Sequence, residues 1–108
     1  MSKQKVTEKS ARELSKLIKQ KKLSPVELTR AYLDRIEKYD SDLSSYITVC
    51  EDLALKAARE AEEKVMNNEK LGILHGLPMG VKDQINTRNI RTTLGSKTFS
   101  DNYPGRDA

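Results

Sequence analysis

Apolar residues recur every three or four positions through the first two-thirds of the chain, the spacing of one helix face. Leu14, Leu17 and Ile18 form the first stripe. Ser10-Ala11-Arg12-Glu13 precedes it, an arrangement in which hydroxyl and carboxylate each satisfy an orphan amide. A helix is expected to begin at Ser10 and to end in Lys19-Gln20-Lys21-Lys22, where cations complement the dipole. Leu28, Ala31, Tyr32, Ile36 and Tyr39 form a second stripe behind Ser24-Pro25-Val26-Glu27. There Ser24 caps, Pro25 takes the first helical position, where a missing N–H costs nothing, and Glu27 closes the box. Asp40-Ser41-Asp42 is expected to stop this helix. A third is predicted from about Glu51 to Met66, with Leu53, Ala54, Ala57, Ala58, Ala61 and Val65 along one side.

The pattern breaks near residue 70. Of the first 70 residues 28 are charged, against 8 of the last 38, and all five glycines lie after the break. Residues 1–70 therefore read as a helical part and residues 71–108 as a part made of strands and loops. Tyr46-Ile47-Thr48-Val49-Cys50, β-branched and aromatic, predicts a short strand. Met79–Lys82 predicts a buried one, and Arg91–Leu94 a third. The expected class is α/β: three helices followed by short strands and loops.

A chain of 108 residues allows one small domain or a piece of a larger one. Five aromatics and no Trp make a thin core, so part of the helices' apolar surface is expected to face a further body of protein. No apolar run approaches the ~20 residues of a membrane span, and the N-terminal residues lack a signal peptide's apolar stretch, so a cytoplasmic protein is expected. With only Cys50 and His75 present, a disulfide framework and a structural zinc are excluded; no metal and no cofactor is expected. The net charge of +4 does not point to a nucleic-acid binder, because both signs are interspersed rather than focused.

Candidate chemistry lies in Leu71-Gly72-Ile73-Leu74-His75-Gly76-Leu77-Pro78-Met79-Gly80-Val81-Lys82-Asp83. Three glycines and a proline in an apolar run suit a chain threading a crowded interior. Lys82 has two readings. In one it leaves the core at a strand's edge and snorkels to water. In the other it points inward and desolvation leaves it neutral, a usable general base for a serine hydroxyl.

From Gly72 to Asp83 the segment resembles the block around the catalytic lysine of the amidase signature family, Gly-x-Leu-x-Gly-(Ile/Leu)-Pro-x-(Ala/Gly/Ser)-(Val/Ile)-Lys-Asp. Thr92-Thr93-Leu94-Gly95-Ser96 resembles the family's Thr-Thr-x-(Gly/Ala)-Ser, and Pro104-Gly105-Arg106-Asp107-Ala108 its Pro-x-x-Asp-Ala. Leu23–Thr29 resembles its second helix. The likeness runs in family order from about Ser10 to Ala108. It implies a mixed sheet covered by helices and a triad of a serine, a second serine with a cis peptide bond, and a lysine. By position only Lys82 transfers. The serines belong to a Gly/Ser-rich motif downstream of the lysine, and this chain contains no such motif. A chain carrying only the lysine is expected to be inactive alone.

The implied reaction is hydrolysis of a carboxylic amide through an acyl-enzyme, with the lysine accepting a proton by way of the bridging serine. The lysine must then be neutral, at ~1.36 kcal/mol per pKa unit of desolvation, which requires a closed pocket. Expected partners are a small-molecule amide or, if the chain belongs to the A-subunit of a glutamyl-tRNA(Gln) amidotransferase, partner subunits and tRNA. Gln84 and Leu94-Gly95-Ser96 lean towards a general amidase. His75 and Cys50 read as packed residues rather than catalysts. Asp83 either holds Lys82 or caps the next turn. A truncated helical interaction module is the alternative from another class.

Overall fold

The computed structural model describes residues 3–108. Met1 and Ser2, part of the stretch read for a signal peptide, lie outside the described residues. Four α-helices carry the regular structure: α1 (Lys3–Thr7), α2 (Ala11–Lys19), α3 (Pro25–Leu43) and α4 (Glu51–Met66), with a single 3₁₀ turn at Lys97–Phe99. Two units are distinguishable. The first holds the helices and runs up to Ser45 and then over Glu51–Pro78; the second joins Tyr46–Cys50 to Met79–Ala108.

The helix ends follow local chemistry. Ser10 accepts from the Glu13 amide at 3.2 Å while the Glu13 carboxylate accepts from the Ser10 amide at 3.1 Å, the reciprocal box. Ser24 accepts from the Val26 and Glu27 amides, and Pro25 occupies the first turn of α3. Helix α2 stops in the lysine run as expected. Lys21 adopts φ 59°, and the Lys22 amide reaches back to the Leu17 carbonyl at 2.9 Å. Helix α4 ends the same way, with Asn68 at φ 55° and the Glu69 amide on the Lys64 carbonyl. Lys21 Nζ donates to Asn68 Oδ1 at 2.8 Å, so the two helix ends are joined. Helix α3 runs one residue past Asp42, where the left-handed Ser44 closes it by donating to the Asp40 carbonyl.

Helix α3 packs against α1 and α4. The core is Val6, Leu14, Ile18, Leu23, Leu28, Ala31 and Val65, flanked by Leu17, Tyr32, Leu71 and Leu77. Ile18 and Leu28 are fully buried, each stabilising the fold by about 1.5–3 kcal/mol. Helix α4 turns Leu55, Ala58 and Val65 inward, whereas Leu53, expected on the buried face, is 53% exposed. Leu71 and Leu77 bring the glycine-bearing segment onto this core. Gly76 sits at φ 80°, and a Cβ there would lie 2.9 Å from Pro25 Cγ and 3.3 Å from Ile18 Cδ1. The expected close approach of backbone to core therefore occurs at this glycine.

The expected α/β class is not what forms. Among the described residues there is no strand and no sheet; the ordered elements are helical. Tyr46–Cys50, Met79–Lys82 and Arg91–Leu94 have strand-like composition but do not pair into a ladder. β-branched residues favour a pleated, half-buried surface and do not create one, and an isolated strand is unstable. Met79 is 80% exposed and Val81 is also exposed, so the segment read as a buried strand lies open.

Candidate active site

The second unit is held by hydrogen bonds between loops. Lys82, the residue singled out from sequence, is exposed. Its carbonyl accepts from the Ile85 amide at 2.9 Å, which bends the chain just after it. The closed pocket expected around it is not built by the described residues.

Asp83 turns the other way. Its Oδ1 accepts from the Thr93 amide at 2.8 Å, and its Oδ2 accepts from the Thr93 hydroxyl and from the Gly95 amide at 3.2 Å. Its main-chain carbonyl accepts from the Leu94 amide at 3.0 Å. Leu94 and Gly95 have φ 56° and 68°, a left-handed pair in the turn whose Thr93, Leu94 and Gly95 amides donate to Asp83. The Thr93 hydroxyl and amide hold the Asp83 carboxyl below the usual carboxylate range. Desolvation pushes the other way, and the Gly95 amide and the Arg91 charge lower it further.

The surrounding loops tie to the same turn. Thr92 and Thr93 are buried. The Thr92 amide donates to the Asn102 carbonyl, and Asn102 Nδ2 donates back to the Thr92 carbonyl, both at 2.9 Å. Arg91 donates to the Ser100 carbonyl and, at 3.2 Å, to Thr48 Oγ1, which anchors Tyr46–Cys50. The Asn89 amide donates to the Pro104 carbonyl, and the Arg88 amide to Asp107 Oδ1 at 2.7 Å. Lys82-Asp83 is thereby bonded to the Thr92–Ser96 turn, and Pro104–Ala108 to residues 86–89, which lie between the two in sequence.

The remaining candidates take structural places. The Ser10, Ser24 and Ser96 hydroxyls cap turns. His75, in the first unit, shares a 2.9 Å hydrogen bond with the Ala61 carbonyl, and Cys50 is a free, partly buried thiol. Among the described residues no three His, Cys, Asp or Glu side chains gather as a metal site would require. The sequence motif contains Thr93 and Gly95 but gives no sign that they are donors to Asp83, and Arg91 reads there only as part of a strand. The nine residues between acceptor and first donor carry no periodic signal that would have linked them.

The family model described as Amidase matches residues 27–108, three-quarters of the chain. The chain belongs to the amidase family. Its relatives include the A-subunit of the glutamyl-tRNA(Gln) amidotransferase of Carboxydothermus hydrogenoformans, 42% identical over 99 residues that cover 92% of this chain and 20% of the relative. A protein of Clostridium acetobutylicum, named as the second A-subunit of the same kind of amidotransferase, is 37% identical over 103 residues, 95% of this chain and 22% of its own length. The corresponding A-subunit of a Sulfurihydrogenibium species is 36% identical over 100 residues, 93% of this chain and 21% of the relative. This chain spans about a fifth of the length of these relatives. The block expected to carry the lysine lies inside the amidase match, so the resemblance read from the motifs holds. Among its described residues no helix is long and apolar enough to cross a membrane.

Proposed function

We propose that this segment supplies the lysine, Lys82, of an amide-hydrolysing site. The observation that carries the reading is the fixed junction of Lys82-Asp83 with the Thr92–Ser96 turn, inside the stretch matched to the amidase family. In this reading Lys82 is the proton acceptor of a Ser-cisSer-Lys triad. Neutral Lys82 draws a proton through the bridging serine, the other serine attacks the amide carbonyl, ammonia or an amine departs, and water releases the acid. The serines and the oxyanion donors come from sequence outside this segment, which alone does not turn over. Covering Lys82 is then a precondition of catalysis, because the side chain is exposed and the proposed base has to be desolvated. The site works without a cofactor, in a cytoplasmic setting.

The relatives named as amidotransferase A-subunits favour glutamine as the amide, with ammonia passed on to a misacylated tRNA, over the general amidase to which Gln84 and Leu94-Gly95-Ser96 lean. The test is a hybrid in which residues 10–108 replace the matching segment of the Carboxydothermus hydrogenoformans protein, assembled with its partner subunits. Glutamine hydrolysis by the hybrid and its loss in Lys82→Ala are expected. Turnover retained in Lys82→Ala, or no turnover by the unaltered hybrid, overturns the assignment. Hydrolysis of simple amides without partner subunits selects the general amidase instead.

A further inference from the structure

We propose that Asp83 is the positioning residue of this site, its carboxylate fixing the backbone from which Lys82 projects against the Thr92–Ser96 turn. The proposal rests on the reading of Lys82 as proton acceptor. Its ground is the division of labour between two adjacent residues: Lys82 is exposed, whereas both oxygens of Asp83 are engaged. Three donors, the Thr93 amide, the Thr93 hydroxyl and the Gly95 amide, converge on that carboxylate, and the Leu94 amide holds the carbonyl of the same residue. Charge-assisted bonds of this kind are about twice as strong as neutral ones. The turn they grip is itself anchored, because Thr92 and Thr93 are buried and Thr92 is bonded in both directions to Asn102.

A residue held at its side chain and at its carbonyl has little freedom in ψ or χ1, and the Lys82 carbonyl, which accepts from the Ile85 amide at 2.9 Å, holds the direction of the peptide joining the two residues. A proton acceptor at the end of a four-carbon stem depends on that direction. A displacement of about 1 Å in a reacting group costs up to ~100-fold in rate. The tight fit of the turn supplies the order that an exposed lysine lacks by itself. Asp83 does not need to touch substrate to do this.

The test has two arms. In the 108-residue chain, hydrogen exchange of the Thr93 and Gly95 amides should accelerate in Asp83→Asn, while amides of α2 and α3 keep their protection. Unchanged exchange at Thr93 and Gly95 overturns the clamp. In the hybrid enzyme, Asp83→Asn should lower kcat by about 10–100-fold with KM for glutamine unchanged. Thr93→Val should lower kcat similarly, Thr93→Ser should restore it, and the Asp83→Asn/Thr93→Val double variant should lose no more than either alone. Additive losses, or a change confined to KM, overturn the positioning role. If Lys82→Ala abolishes hydrolysis and Asp83→Asn does not lower kcat, only this inference fails. If Lys82→Ala remains active, the underlying reading fails and this one with it.

Discussion

His75 Nε2 lies 2.9 Å from the main-chain oxygen of Ala61, so the imidazole donates to α4 from the loop that follows it. The ring is partly buried and serves to pin residues 72–78 beside the helix. Ser15 does the same from the other side, its hydroxyl donating to the Ile73 carbonyl at 2.9 Å.

A structural role for His75 makes a specific prediction. His75→Ala should destabilise the chain by about 0.5–1.5 kcal/mol, the net value of one such bond, seen as a lower midpoint in urea. In the hybrid enzyme it should leave kcat for amide hydrolysis unchanged. A loss of kcat with unchanged stability would assign the histidine to the chemistry instead.

Gly76 is constrained twice, by its left-handed backbone and by the Pro25 ring 2.9 Å from where a Cβ would stand. Gly76→Ala should cost about 1–3 kcal/mol of stability. Gly72, with open space around it and no positive φ, is the control. Gly72→Ala should be neutral or slightly stabilising, within ~1 kcal/mol. Thermal unfolding of the two variants side by side measures the difference.

The Ser10 box should be worth about 0.5–2 kcal/mol to α2, so Ser10→Ala lowers helicity and stability together. Ser10→Asp, which keeps an oxygen acceptor at the cap, should recover most of both. Far-ultraviolet circular dichroism during denaturation reports the two at once.

The lowered Asp83 carboxyl fixes the sign of a pH effect. Its folded-state value lies below its unfolded value, so its contribution is present above the ordinary aspartate value of ~3.9 and is lost as pH falls through the lower folded value. The Thr93 and Gly95 amide resonances should therefore shift with a common midpoint below the ordinary aspartate range. In Asp83→Asn that transition should vanish. A midpoint at or above the ordinary value would mean that the hydrogen bonds to Thr93 and Gly95 do not persist in solution.

What was legible in the sequence was local. The Ser10 box, the Ser24-Pro25 start and the lysine stop depend on residues within one turn of each other, and they are in place. The face of α4 was only half legible. The expected stripe included Leu53 and left out Leu55, whereas the helix turns Leu55 inward and leaves Leu53 exposed. Helix α1 gave no signal beyond Val6, a single apolar residue that matters because it joins the core of three other elements. The sheet was misread because Ile47, Thr48 and Val49 report suitability for a strand, while a strand needs a partner. The Asp83–Thr93 clamp was out of reach because composition says nothing about which amides a carboxylate will find ten residues away. The motif resemblance marked both ends of it without showing that they touch.

The exposed apolar side chains bear on how the chain behaves in solution. Ile73 at 81% and Met79 at 80% exposure, with Leu43 and Leu74 also open, leave apolar surface in contact with water. Prepared alone, the 108-residue chain should therefore self-associate as its concentration rises, and a polar residue in place of Ile73 or Met79 should weaken that association without touching the core.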